Sequence, residues 1–90
     1  MRKKYVLRVY SDPGHGWVKV HRNLANDLGI LGDISSCSYE KGDYVYLEED
    51  RDMALLINAF TNKGIEFKFN EYHTNKTSRI RNFKPFVKVI

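Results

Sequence analysis

Residues 49–69, EDRDMALLINAFTNKGIEFKF, carry the pattern on which the fold turns. Met53, Leu56, Ile57 and Phe60 recur at i, i+3, i+4 and i+7, a single apolar stripe that predicts a helix from Asp52 to Lys63. Asp50 suits the N-cap, and Glu49, Asp50 and Asp52 suit the positive end of the helix dipole. Lys63 suits the other end, and Gly64 followed by apolar Ile65 fits a Schellman stop. Ile65, Phe67 and Phe69 then alternate with polar residues, so a strand follows at once.

Before this unit, Ile34–Tyr39 and Tyr44–Glu48 read as a hairpin turning at Lys41-Gly42-Asp43. Val45 and Leu47 face one way; Tyr44, Tyr46 and Glu48 face the other. Further upstream, Tyr5, Leu7 and Val9 alternate with Val6, Arg8 and Tyr10 as a first strand. The turn residues of Ser11–Gly16 lead into a second strand at Trp17–Val20, giving a hairpin over residues 4–20. Leu24, Leu28 and Leu31 mark a short helix, with Gly29 suited to its C′ position. Beyond a turn at His73–Lys76, residues 78–90 read as extended, and Pro85 makes that piece an edge strand or an irregular tail. The order is ββαββαβ with a possible extra C-terminal strand. It predicts an α+β fold, a mostly antiparallel sheet with two helices on one face. The order of strands across the sheet stays open.

Ninety residues form one domain. A composition 42% hydrophobic and 29% charged is that of a folded chain. No apolar run is long enough for a membrane span, and Arg8 interrupts the only stretch resembling a leader. These features lead to the expectation of a cytoplasmic protein. Cys37 is the sole cysteine, which excludes an internal disulfide and a thiolate zinc cluster.

Charge is unevenly placed. Arg2, Lys3, Lys4 and Arg8 precede the first acid, and Lys76, Arg79, Arg81, Lys84 and Lys88 follow the last. Between them, residues 40–52 hold six acids and two bases. If the two ends pair in the sheet, their cations merge into one basic patch.

Three groups of residues bear on function. In Asp12-Pro13-Gly14-His15-Gly16-Trp17, the glycines expose backbone amides and the imidazole, a shape suited to an anion, while Trp17 is suited to stacking, to a partner's pocket or, folded back over a tight loop, to the core. Arg79 and Arg81 fall on one face of an extended segment, where they suit phosphate contact. Tyr5, Tyr10, Tyr39, Tyr44, Tyr46 and Tyr72 supply rings for stacking on a sheet face. The acids Glu48, Glu49, Asp50 and Asp52 are explained by helix capping, although His15 with Glu48 or Asp50 can assemble in space. No P-loop, nucleophile elbow or metal-protease spacing is present, so neither an enzyme nor a cofactor is expected. The candidate binding residues are Asp12, His15, Trp17, Tyr39, Tyr46, Arg79 and Arg81.

Ser11–Trp17, Asp33–Tyr39, Tyr46–Asp50 and Ser78–Arg81, in that order, resemble segments of a group of small bacteriophage-encoded proteins without established activity. The resemblance implies a phage accessory protein made inside a bacterial cell, of the kind that inhibits or redirects a host system, and it carries over no catalytic residue. A shorter stretch, Val18–Ile30, resembles the strand–helix start of swapped-hairpin transcription factors of the AbrB type, which usually show proline where this chain has His21. Three readings follow: a non-enzymatic protein that binds a host protein or protein–nucleic-acid complex, a direct nucleic-acid binder, and a binder of a small anion such as a nucleotide. The oligomeric state is open.

Overall fold

The structure, a computed structural model, describes residues 4–87. β1 (Lys4–Ser11) and β2 (Gly16–His21) form the first hairpin, and α1 (Arg22–Asp27) follows directly. β3 (Tyr39–Lys41) and β4 (Tyr44–Glu48) form the second hairpin, followed by α2 (Met53–Asn62), β5 (Glu66–His73) and the two-residue β6 (Lys84–Pro85). The six strands make one sheet in the order β5-β1-β2-β4-β3-β6. Every pairing is antiparallel except β1 with β5, which runs parallel from Lys4↔Glu66 to Ser11↔His73. The fold is the expected α+β class. The first strand, β1, lies second from one end of the order and the last, β6, at the other end, so these two strands do not pair and merge their cations.

Both helices pack on the same face of the sheet. Leu7, Val9, Val18, Val20, Val45 and Leu47 point to that face and meet Ala25 of α1, Leu28 just past its end, and Leu56 and Phe60 of α2. Tyr5 also faces the helices, stacking on Phe60 at 5.5 Å between ring centroids. The buried stripe of α2 is flanked by Met53, Leu55 and Ala59.

Each helix ends in the same way. Gly64 (φ 66°) donates to the Thr61 carbonyl at 3.1 Å and Ile65 to the Phe60 carbonyl at 2.9 Å. Gly29 (φ 74°) and Ile30 repeat this pair of bonds on Asn26 and Ala25. These are two Schellman stops, and the left-handed backbone that each needs is available to glycine without a Cβ clash. The tight turn of the second hairpin is Gly42-Asp43, with Gly42 at φ 59°, and Lys41 belongs to the strand.

Three local expectations are corrected. The N-cap of α2 is Asp52, not Asp50, and its carboxylate points away from the helix backbone. It accepts instead from the Ser35 N–H and hydroxyl, at 3.0 and 2.7 Å, and from the Ser38 hydroxyl. Those bonds explain the second correction. Residues 34–38 do not extend β3, because Ser35 and Ser38 are tied to the start of α2 while Ile34 is buried in the core. Third, Arg79–Asn82 is a 3-10 turn rather than an extended strand. Ser78 caps it by accepting from Ile80 N–H at 3.2 Å, and Phe83 N–H closes back on the Ile80 carbonyl at 3.0 Å. The remainder of that expected segment reduces to β6, and residues 88–90 lie outside the described residues. Among the described residues, no helix is long and apolar enough to cross a membrane.

Candidate nucleic-acid interface

The face of the sheet away from the helices carries the other half of each alternation. It presents Val6, Arg8 and Tyr10 of β1, Lys19 of β2, Tyr44 and Tyr46 of β4, Tyr39 and Lys41 of β3, and Lys68, Asn70 and Tyr72 of β5. No helix covers this face among the described residues; only the 3-10 turn crosses it. Ile80, 5% exposed, packs there with Trp17 and Tyr46, and Tyr10, Tyr39 and Phe83 surround them.

Asp12 holds that turn down. Its buried carboxylate accepts Arg81 Nε–H at 2.6 Å and Nη2–H at 2.8 Å, and Ser78 N–H at 3.0 Å. The same group accepts the amides of Gly14 and His15 at 3.0 and 2.9 Å. Five donors converge on one carboxylate. The Arg81 guanidinium, then the Ser78 amide, holds the Asp12 carboxyl far below the usual carboxylate range, with the His15 and Gly14 amides adding to the effect and burial opposing it.

This arrangement changes the roles expected of the first loop. The amides offered by the two glycines and His15 were expected to face an anion; those of Gly14 and His15 are occupied by Asp12 itself. Trp17 does not protrude toward a base or a partner: it is 1% exposed, beneath the Arg81 guanidinium at 5.4 Å from ring centroid to Cζ. Asp12 and Arg81 are therefore the brace of the site rather than its contact surface.

Arg79 takes the opposite course. Two residues apart on a 3-10 turn, the arginines diverge instead of sharing a face as they would on a strand. Arg79 is exposed and borders an open cavity of about 600 Å³ walled by Tyr10, Tyr46, Phe83 and Lys76. On its other side, a second trough of about 550 Å³ is bordered by the same Arg79 and Phe83 with Lys41 and Lys84. Tyr10 stacks on Tyr72 with centroids 5.6 Å apart, extending the aromatic surface to the β5 edge. Burial, and then the proximity of Tyr10 and Tyr44, raises the Tyr46 phenol above its ordinary value.

Cations are seated directly on these rings. Arg8 lies 5.4 Å from the Tyr72 centroid, Lys19 4.2 Å from Tyr44, and Lys41 4.8 Å from Phe83. Rings and positive charges alternate over one surface. A flat π-face and a nearby cation are the two groups that a base and its phosphate require.

Of the expected contact residues, Arg79, Tyr46 and Tyr39 lie on this face, Tyr46 largely buried and Tyr39 half-buried beside it. His15 lies at a separate cavity with Glu48 and Asp50, described below. Arg8 was named from the sequence only as one of the N-terminal cations, and the contributions of Lys19, Lys41 and Phe83 were not singled out. The alternation of β1 and β4 is the signal for Arg8 and for the face opposite Val45. Phe83 gives none, because its position depends on the 3-10 turn. No family model, curated protein or solved structure matches the chain.

Proposed function

We propose that this chain is a non-enzymatic binding domain whose open sheet face takes single-stranded nucleic acid. The observation that carries the reading is the interleaving of Tyr10, Tyr72, Tyr44 and Phe83 with Arg8, Lys19, Lys41, Lys76 and Arg79 on one face that no helix covers. Unpaired bases stack on such rings at about 1–3 kcal/mol each, and the cations neutralise the phosphates between them. A duplex hides its base faces and gains only the charge contribution.

Fluorescence anisotropy with labelled oligothymidine, oligouridine and a duplex of equal length tests this. Single strands bind more tightly than the duplex, with affinity falling as salt rises, and a joint Tyr10→Ala and Tyr72→Ala change weakens binding about tenfold or more. Absence of saturable binding at low salt, or equal affinity for the duplex, overturns the reading.

A protein partner is the second reading. It is favoured by the exposure of Val6 (56%), Tyr72 (47%) and Tyr44 (37%) on the same face. A stoichiometric protein that remains bound after nuclease treatment, and is lost on Val6→Asp, would put it first. The resemblance to small phage proteins gives either partner a bacterial host as its setting.

A further inference from the structure

We propose that His15, Glu48 and Asp50 bind one divalent transition-metal ion of the zinc and manganese class, with an open coordination position facing Trp17. The proposal is independent of the nucleic-acid reading. Each of the three side chains offers a ligand atom, and these atoms lie within 4.8 Å of one another. Three atoms bonded to one ion at about 2.1 Å lie no more than roughly 4.2 Å apart, so small side-chain adjustments close the set.

The groups are held in place from separate directions. Glu48, 7% exposed, ends β4 with its N–H bonded to the buried Ser38 hydroxyl at 3.0 Å. Its Oε2 accepts the Asp50 N–H at 2.9 Å, which fixes the turn presenting Asp50. Its Oε1 lies 3.2 Å from His15 Nδ1, and the His15 loop is pinned in turn by Asp12. An imidazole accompanied by two carboxylates is a common donor set around such ions.

Charge and an orphan donor supply two further arguments. Arg81 borders the same cavity of about 350 Å³, but its guanidinium is committed to Asp12 by both Nε and Nη2. The nearly buried Glu48 carboxylate therefore has no arginine or lysine paired with it among the described residues, which leaves its charge available to a bound cation. Trp17 borders the cavity and stands opposite Glu48 in the β2–β4 ladder. Its Nε1–H is the one buried side-chain polar group without a hydrogen-bond partner among the described residues. A donor does not ligate a cation; it calls for an oxygen, and a water or anion carried by the ion supplies one once a small shift of the ring opens this enclosed N–H to the cavity. Imidazole among the ligands favours zinc over magnesium and calcium, which take all-oxygen shells, and the two carboxylates leave the set open to manganese.

The experiment uses the full chain without a polyhistidine tag, stripped with chelator and titrated with Mn²⁺, Zn²⁺ and Mg²⁺ by calorimetry. Trp17 is the only tryptophan, so quenching of its fluorescence by paramagnetic Mn²⁺ reports proximity directly. One ion binds per chain with quenching, Zn²⁺ displaces Mn²⁺, and Mg²⁺ binds at least tenfold more weakly. His15→Asn and Asp50→Asn each reduce affinity by about tenfold or more. Both replaced side chains are exposed, and circular dichroism confirms that the variants fold. No saturable binding, binding without quenching, equal affinity for Mg²⁺, or unchanged affinity in both variants overturns the proposal.

Discussion

Arg81 and Asp12, 69 positions apart in the chain, meet through two parallel hydrogen bonds of 2.6 and 2.8 Å. The pair fastens the 3-10 turn to the first hairpin loop and thereby seats Ile80 over Trp17 and Tyr46. It also places Arg79 by exclusion: with Arg81 turned inward, its neighbour on the turn faces solvent.

Acid sensitivity follows from this pair. The folded-state pKa of Asp12 is depressed below its ordinary value near 3.8. Its contribution is therefore fully present above that unfolded value and is lost as pH falls through it toward the depressed one. The thermal midpoint of the native chain drops steeply below about pH 4. Asp12→Asn lowers the midpoint at neutral pH and flattens this acid limb, as a series of melts from neutral pH to about pH 2 records.

The Schellman stops give a backbone test free of packing. At Gly64 and Gly29, an added Cβ meets nothing within 4 Å, so only the positive φ of 66° and 74° opposes it. Gly64→Ala and Gly29→Ala each cost about 1–2 kcal/mol in urea denaturation. Gly32→Ala, equally open and without a positive φ, stays within about 0.5 kcal/mol.

The Ser38 hydroxyl is fully buried, donates to Asp52 and accepts the Glu48 N–H. Ser38→Ala leaves both partners short of a bond and costs about 1–3 kcal/mol in the same assay. Because the Glu48 backbone bond to Ser38 also steadies the metal ligands, this variant lowers Mn²⁺ affinity as well.

The core and the open face separate cleanly by mutation. Phe60→Ala removes a fully buried ring stacked between Tyr5 and Phe67 and costs about 3–5 kcal/mol. Arg79→Ala leaves the urea midpoint within about 0.5 kcal/mol and reduces the slope of log affinity against log salt for single strands by about 0.7.

The elements were legible where local rules act alone. The stripe from Met53 to Phe60, the glycine stops and the alternation of β1 and β4 follow from periodicity and φ, both carried by the chain itself. The misplaced parts depend on partners distant in sequence. Ser35 and Ser38 leave the strand for Asp52, and Arg81 leaves the extended path for Asp12; neither bond has a local signature. The same applies to the candidate sites. The tyrosines follow the strand alternation, and by it Tyr5, counted among the stacking rings, belongs instead to the helix face against Phe60. Trp17, placed at the start of the second strand and open to either contact or core, is buried because Ile80 and Arg81 arrive over it from the far end of the chain. The meeting of His15 with Glu48 was an allowed assembly whose distance only the β2–β4 ladder and the braced loop supply.

The parallel β1–β5 ladder also sets an order in time. Ser11 and His73 are 62 positions apart, and at about 5–20 residues per second a ribosome delivers them roughly 3–12 s apart. Throughout that interval, β1 can complete its hairpin with β2 while its other edge has no strand to receive it. A nascent chain halted before residue 66 thus exposes an edge that the finished protein never shows. Its hazard of misassembly with neighbouring chains belongs to synthesis rather than to the mature surface.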